Sequence, residues 1–100
     1  MPDAPEGARY FKRLWDEPRG DAYDSWGTSW WYLELDSSGW ASRQLEFYAN
    51  GTILRYDAEH AADDFGRLSD QPLNLVEFAE FEIDAAEFEA RWVDGTAHNR

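Results

Sequence analysis

The chain contains no cysteine. That excludes a disulfide framework, a thiolate metal site and a thiol nucleophile. No apolar run approaches the roughly 20 residues needed to span a bilayer. Met1 to Gly7 lacks the basic start and apolar stretch of a signal peptide, so a reducing cytoplasm is the expected setting. Basic residues are scarce: nine Lys and Arg stand against 21 Asp and Glu, for a net charge of −12. Nucleic-acid binders draw affinity from Lys and Arg on phosphates, and anionic lipid repels such a chain, so neither partner is expected. No Gly-rich phosphate loop, HExxH or GxSxG occurs, and no cofactor is implied. The two histidines are His60 and His98. His98 is expected in a loose tail. His60 lies near Glu59, Asp63 and Asp64, where i, i+3 and i+4 spacing can share a helix face; one imidazole among surface carboxylates reads as solvated rather than metal-bound. A metal site is not expected, nor is an enzyme.

Aromatic residues are abundant: six Trp, five Tyr and six Phe in 100 residues. A domain this short has a modest core, and bulky rings let it bury enough area. The negative charge is uneven. Residues 57–94 carry 12 carboxylates (Asp57, Glu59, Asp63, Asp64, Asp70, Glu77, Glu80, Glu82, Asp84, Glu87, Glu89 and Asp94), opposed by Arg67 and Arg91 alone. The first 56 residues are close to balanced.

The clearest local signal is the stretch 40–57, WASRQLEFYANGTILRYD, with β-type runs on either side of Asn50-Gly51. A type I′ turn there predicts a hairpin pairing Tyr48 with Ile53, Phe47 with Leu54, Glu46 with Arg55 and Leu45 with Tyr56. Glu46 and Arg55 then form a cross-strand ion pair, and Leu45, Phe47, Leu54 and Tyr56 share one face. Ser29 to Asp36 forms the preceding strand. A three-residue loop, Ser37-Ser38-Gly39, joins the two and sets Leu35 opposite Ala41, Leu33 opposite Arg43 and Trp31 opposite Leu45. Trp31, Leu33 and Leu35 join the same apolar face. Arg43 is the one misfit on it: it snorkels to water, meets an internal carboxylate, or lines a pocket.

Residues 1–8 read as a tail and Arg9 to Trp15 as a further strand with basic residues suited to an edge. Asp16 to Thr28 is a long loop carrying Tyr23 and Trp26, which either fold back or reach a partner. Pro72 to Ala79 reads as a short helix behind Asp70 or as a strand; Phe81 to Ile83 is extended. Asp84 is an N-cap with Glu87 as its capping-box partner and Ile83 stapling onto Phe88. Phe88 and Trp92 lie one turn apart, Glu87 and Arg91 form a favourable pair, and Gly95 ends the helix. The expected architecture is a single α+β domain over 9–95, with residues 96–100 a second tail. Its small antiparallel meander has strands near 9–15, 29–36, 40–49 and 52–57, packed by a helix over about 85–93.

Taken in order, Trp15, Tyr32-Leu33-Glu34-Leu35-Asp36, Gly39, Arg43, Glu46-Phe47, and Ile83 followed by Glu87-Phe88-Glu89 and Trp92 form a pattern. It resembles a family of small bacterial domains of unknown function, marked by a strand ending in Trp, a Leu-Tyr-x-Glu-Leu-like strand, a Gly, Arg-x-x-Glu-x-Phe-x-Asp-Gly and a terminal Ile-x-x-x-Glu-Phe-Glu-x-x-Trp. Gly66-Arg67-Leu68 and Pro72-Leu73 also resemble segments of that family. The likeness spans most of residues 9–93. Asn50 stands where the family often has Asp, and the loop over 16–28 and the segment before Phe81 differ in length. Such domains look like immunity partners of toxins, and the resemblance implies that association.

Charge and resemblance together point to a non-catalytic acidic binder that occludes a basic protein such as a toxin nuclease. Its partner-binding candidates are Asp57, Glu59, Asp63 and Asp64, with Trp26, Trp40 and Tyr48 as aromatic anchors. The alternative is a small-molecule-binding domain whose pocket lies on the aromatic sheet face near Arg43. An enzyme built around His60 is a distant third. Oligomeric state is not encoded in these patterns.

Overall fold

The computed structural model describes residues 7–17, 19–21 and 23–98, with the side chains of 96–98 left aside; the outer parts of both expected tails lie outside these residues. The architecture is the expected α+β arrangement of an antiparallel sheet with short helices. Five strands, β1 (Arg9–Trp15), β2 (Ser29–Leu35), β3 (Ala41–Tyr48), β4 (Ile53–Asp57) and β5 (Glu82–Ile83), lie in the order β4-β3-β2-β1-β5. Two helices, α1 (Leu75–Phe78) and α2 (Ala85–His98), follow the meander. The extended Glu82-Ile83 pair forms one edge, pairing with Tyr10 and Phe11.

Both hairpins form where the turn residues put them, but with a different register. Asn50-Gly51 does not make a type I′ turn. Only glycines have positive φ among the described residues, and Gly51 takes 93° while Asn50 does not. Gly51 N–H bonds to Tyr48 O and Tyr48 N–H to Thr52 O, closing a three-residue loop with a left-handed glycine. The register therefore slips by one: Glu46 opposes Leu54, Leu45 opposes Arg55 and Gln44 opposes Tyr56. The β2–β3 loop is the three-residue form expected, with Gly39 at φ 90° and Asp36 N–H bonded to Trp40 O. A bulge between Glu34 and Leu35 then shifts the pairing, so Glu34 meets Arg43 and Tyr32 meets Leu45. Each slip of one residue exchanges the faces.

The expected single apolar face is thus corrected to two. On one face Tyr10, Tyr32, Leu45, Phe47, Ile53 and Ile83 pack with Phe88 and Trp92 of α2. On the other, Phe11, Leu33 and Leu35 pack with Phe78, Leu73, Leu75 and Phe81, while Tyr48, Leu54 and Tyr56 pack with Trp26 and Leu68. A sheet buried on both sides shows no clean in–out alternation, which is why one strand carries Trp30, Trp31, Tyr32 and Leu33 in succession.

The helices keep some expected details and change others. Asp84 accepts the Glu87 N–H at 2.8 Å, as an N-cap should. Helix wins over strand at 72–79 as one turn, and its N-cap is Asn74 rather than Asp70: Asn74 Oδ1 accepts from Val76 and Glu77. Glu87 lies 3.8 Å from Lys12, and Arg91 bonds Asp94 at 3.2 Å, so the expected Glu87–Arg91 pair is not the partnership formed. Gly95 does not end α2. It sits inside the helix, where an added Cβ would lie 2.7 Å from Leu45 Cδ2.

Gly95→Ala therefore sets about 1 kcal/mol of helix propensity against overpacking of about 1–3 kcal/mol. Urea unfolding should show a net loss on the order of 1 kcal/mol. A variant stabilised by the full propensity gain would mean Leu45 moves aside freely.

Candidate functional site

Arg43 is buried, at 6% exposure, and is held from both sides. Its Nε and Nη2 donate to Glu34 Oε1 and Oε2 at 3.1 and 2.6 Å. Its Nη1 and Nη2 donate to Glu89 Oε1 and Oε2 at 3.0 and 2.6 Å. Glu34 is fully enclosed at 2% exposure and takes a further bond from Ser42 Oγ at 2.7 Å, while Glu89, on α2, is 48% exposed. The guanidinium stacks 4.8 Å and 4.9 Å from the Phe88 and Trp92 ring centres. Burial alone would raise the Glu34 carboxyl, but hydrogen bonds from Arg43 and Ser42 outweigh it and hold it below its ordinary value. Arg43 lines none of the cavities described below; of the three roles open to it in the sequence, it takes the internal carboxylate.

The other face carries the open space. The chain from Asp57 to Leu73 folds across it, pinned at several points. Asp57 Oδ1 accepts the Glu59 and His60 N–H groups. Asp63 Oδ1 accepts from Tyr56 Oη, Phe65 N and Gly66 N. Gln44 ties the segment to β3: its Oε1 accepts from Ser69 N, and its Nε2 donates to Arg67 O and to Glu46. Among the described residues, two adjoining cavities on this face share Trp15 and Trp31 as a common wall. The first, about 210 Å³, is apolar and runs between Trp31, Leu33, Leu73 and Phe78, with Arg13 at its side. The second, about 310 Å³, is mixed in character and is bordered by Glu17, Arg19, Asp21, Ser29, Glu46 and Tyr48 among others.

Glu46 is the group sequence reasoning misplaced most. Expected in an exposed ion pair with Arg55, it lies buried on the cavity face, accepting from Tyr48 Oη at 2.5 Å and Gln44 Nε2 at 2.9 Å. Burial pushes its carboxyl up, against the two hydrogen bonds. Arg55 lies on the opposite face, 3.7 Å from the Trp92 ring centre. The three-residue loop with Gly51 is the local signal that separates the two readings.

The seven partner-binding candidates do not form one site. Asp57 closes β4 opposite Arg43, at the same end of the sheet as Trp40, which is 46% exposed. Glu59 and Asp64 are exposed on the following loop, while Asp63 is spent organising it. Tyr48, about five residues away along β3, is only 6% exposed with its hydroxyl committed to Glu46, so it is not an available anchor. Trp26 is half-buried in a ring cluster with Tyr23, Tyr48 and Phe65, capped by Arg19 at 5.3 Å from its ring centre. Tyr23 and Trp26 thus fold back. His60 stacks on Tyr56 and lies 3.7 Å from Asp63. Among the described residues no group of three or more His, Asp or Glu side chains is placed to hold a metal ion, and no helix is long and apolar enough to cross a membrane. Compared with protein-family models, curated proteins and solved structures, the chain matches none.

Two outcomes test this geometry. Arg43→Ala strands the enclosed Glu34 charge and should cost about 3–5 kcal/mol in urea unfolding. Glu89→Gln, at the wet end of the triad, should cost under about 1 kcal/mol; equal losses would contradict the asymmetry. The Glu46 carboxyl is raised in the folded state, so its stabilising protonation is fully present below the unfolded value near 4.3 and is lost as pH rises through the folded one. The stability of Glu46→Gln relative to the parent should therefore climb with pH across that window and then level off. Unfolding midpoints that diverge in the opposite direction would place Glu46 in a favourable ionised environment instead.

Proposed function

We propose that the protein is a non-catalytic acidic binder that occludes a basic protein, in the manner of an immunity protein against a toxin such as a nuclease. The observation that carries this reading is the placement of the carboxylates of residues 57–94. Eleven of the twelve are exposed and Asp57 is half-buried, while only Arg67 and Arg91 oppose them in that stretch. Ion pairs with the rest of the chain engage Glu82 with Arg9, Glu87 with Lys12 and Glu89 with Arg43. Glu59, Asp64, Glu77 and Glu80 stay on the surface without an ion pair among the described residues. Their field draws in a basic surface and their oxygens take the place of nucleic-acid phosphates in its cleft. Trp40, at the Asp57 end of the sheet, is the exposed anchor that remains. The resemblance to immunity-like domains adds to this reading.

A second reading, a small-molecule-binding domain, is supported by the apolar cavity between Trp15, Trp31, Leu33 and Phe78. It keeps the aromatic sheet face and replaces Arg43 by Arg13.

The first reading is tested by capture on the immobilised protein from the native host. A basic protein should be retained at about 0.1 M salt and released towards about 1 M, as the screening length falls from about 10 Å to about 3 Å. A Glu59→Gln, Asp64→Asn variant, which spares the loop-forming Asp57 and Asp63, should retain less. Recovery of no basic protein at low salt, or of one indifferent to both salt and these charges, would sink the reading.

A further inference from the structure

The apolar cavity has one polar side chain with donors to spare. Gln44 and Ser69 both line it, but Gln44 is bonded to Ser69 N, Arg67 O and Glu46, and Ser69 Oγ donates to Gln71 O. The remaining polar residue is Arg13. In a chain with 21 carboxylates, most cations find one: Arg9, Lys12, Arg19, Arg43, Arg67 and Arg91 all do. Among the described residues, Arg13 and Arg55 have no ion pair, and Arg55 lies on the opposite sheet face. Asp16 and Glu17 share an adjoining hollow with Arg13, yet neither comes within ion-pair distance.

Arg13 is instead held by rings. Its guanidinium carbon lies 4.9 Å from the Phe81 ring centre, 5.0 Å from Phe78 and 5.8 Å from Trp15. Cation–π contacts use the face of the guanidinium and orient it, and they consume none of its five N–H donors. An oriented Arg fork matches the geometry of a carboxylate. The rings that orient it, Phe78 and Trp15, are also walls of the cavity. Trp15 is 48% exposed, so one wall stands at the surface.

We propose that this cavity binds a small apolar carboxylate, with the carboxylate on Arg13 and the hydrocarbon among Trp15, Trp31, Leu33, Leu73 and Phe78. The inference rests on the second reading above and names its ligand class. Size sets a further limit. An apolar cavity of about 150 Å³ takes one benzene, so the 210 Å³ here suits a single ring with two or three further carbons. A cationic ligand of the same size would meet Arg13 with its own charge. A neutral one would leave the Arg13 donors to water and gain from the hydrocarbon contacts alone.

The test uses 3-phenylpropionate and its neutral amide, titrated into the full chain at about 0.15 M salt. Calorimetry and the fluorescence of the wall tryptophans report binding. The carboxylate should bind with a dissociation constant on the order of 0.1–1 mM, and the amide about tenfold or more weakly. Arg13→Gln should bring the carboxylate down to the level of the amide. Arg13→Lys, which keeps the charge and loses the fork, should fall between, and guards against a Gln variant that fails to fold. Lys12→Gln removes a neighbouring charge from the opposite sheet face and should leave binding unchanged. Equal binding of acid and amide would overturn the carboxylate assignment while the cavity reading stands. Binding of neither up to about 10 mM would overturn both.

Discussion

The Arg43 guanidinium, clamped between Glu34 and Glu89, is the contact on which the rest of the structure depends. It ties three elements at once: Glu34 from β2, Arg43 from β3 and Glu89 from α2. Four hydrogen bonds and two ring faces satisfy a charge that burial would otherwise penalise by several kcal/mol. The triad also disfavours the competing register. A slip of one residue between β2 and β3 would send Glu34 and Arg43 to opposite faces and leave two buried charges unpaired. The hydrophobic pattern could not make that choice, because both faces of β2 carry large apolar side chains.

Two covers of different character follow from that register. On the triad side α2 packs Phe88 and Trp92, stacked on each other, against the sheet. The opposite side is covered by the chain from Asp57 to Phe81, whose regular structure amounts to an isolated bridge, one helical turn and a 3₁₀ turn. An irregular cover ties its backbone down with side chains such as Gln44, Asp63 and Asn74 and packs less completely. The cavities lie under it for this reason.

None of the twelve carboxylates of residues 57–94 lines the apolar cavity. The acidic residues of the C-terminal part lie on the outside, where they set the field that any partner meets at long range. The apolar cavity is small and bordered by Arg13, which has no ion pair among the described residues. The two proposed ligands, a basic macromolecule and a small apolar acid, make different demands, one on exposed carboxylates and the other on an apolar hollow beside a cation.

Local chemistry determined a good deal by itself. Asn50-Gly51 and Ser37-Ser38-Gly39 are turns because glycine alone takes the positive φ those positions require, and Asp84 caps α2 because its side chain reaches the Glu87 N–H. The strands, the helix that carries Phe88 and Trp92, and the α+β class all follow from such short-range preferences. Only the tertiary structure decided which residues face which way. A left-handed Gly51 closing a three-residue loop and a bulge at Glu34/Leu35 each displace the pairing by a single residue. With a period of two, that displacement moved Glu46 from an exposed ion pair to a buried carboxylate, and gave Arg43 an enclosed partner. One residue of register is invisible where both faces of a sheet are buried, because either choice buries comparable apolar area.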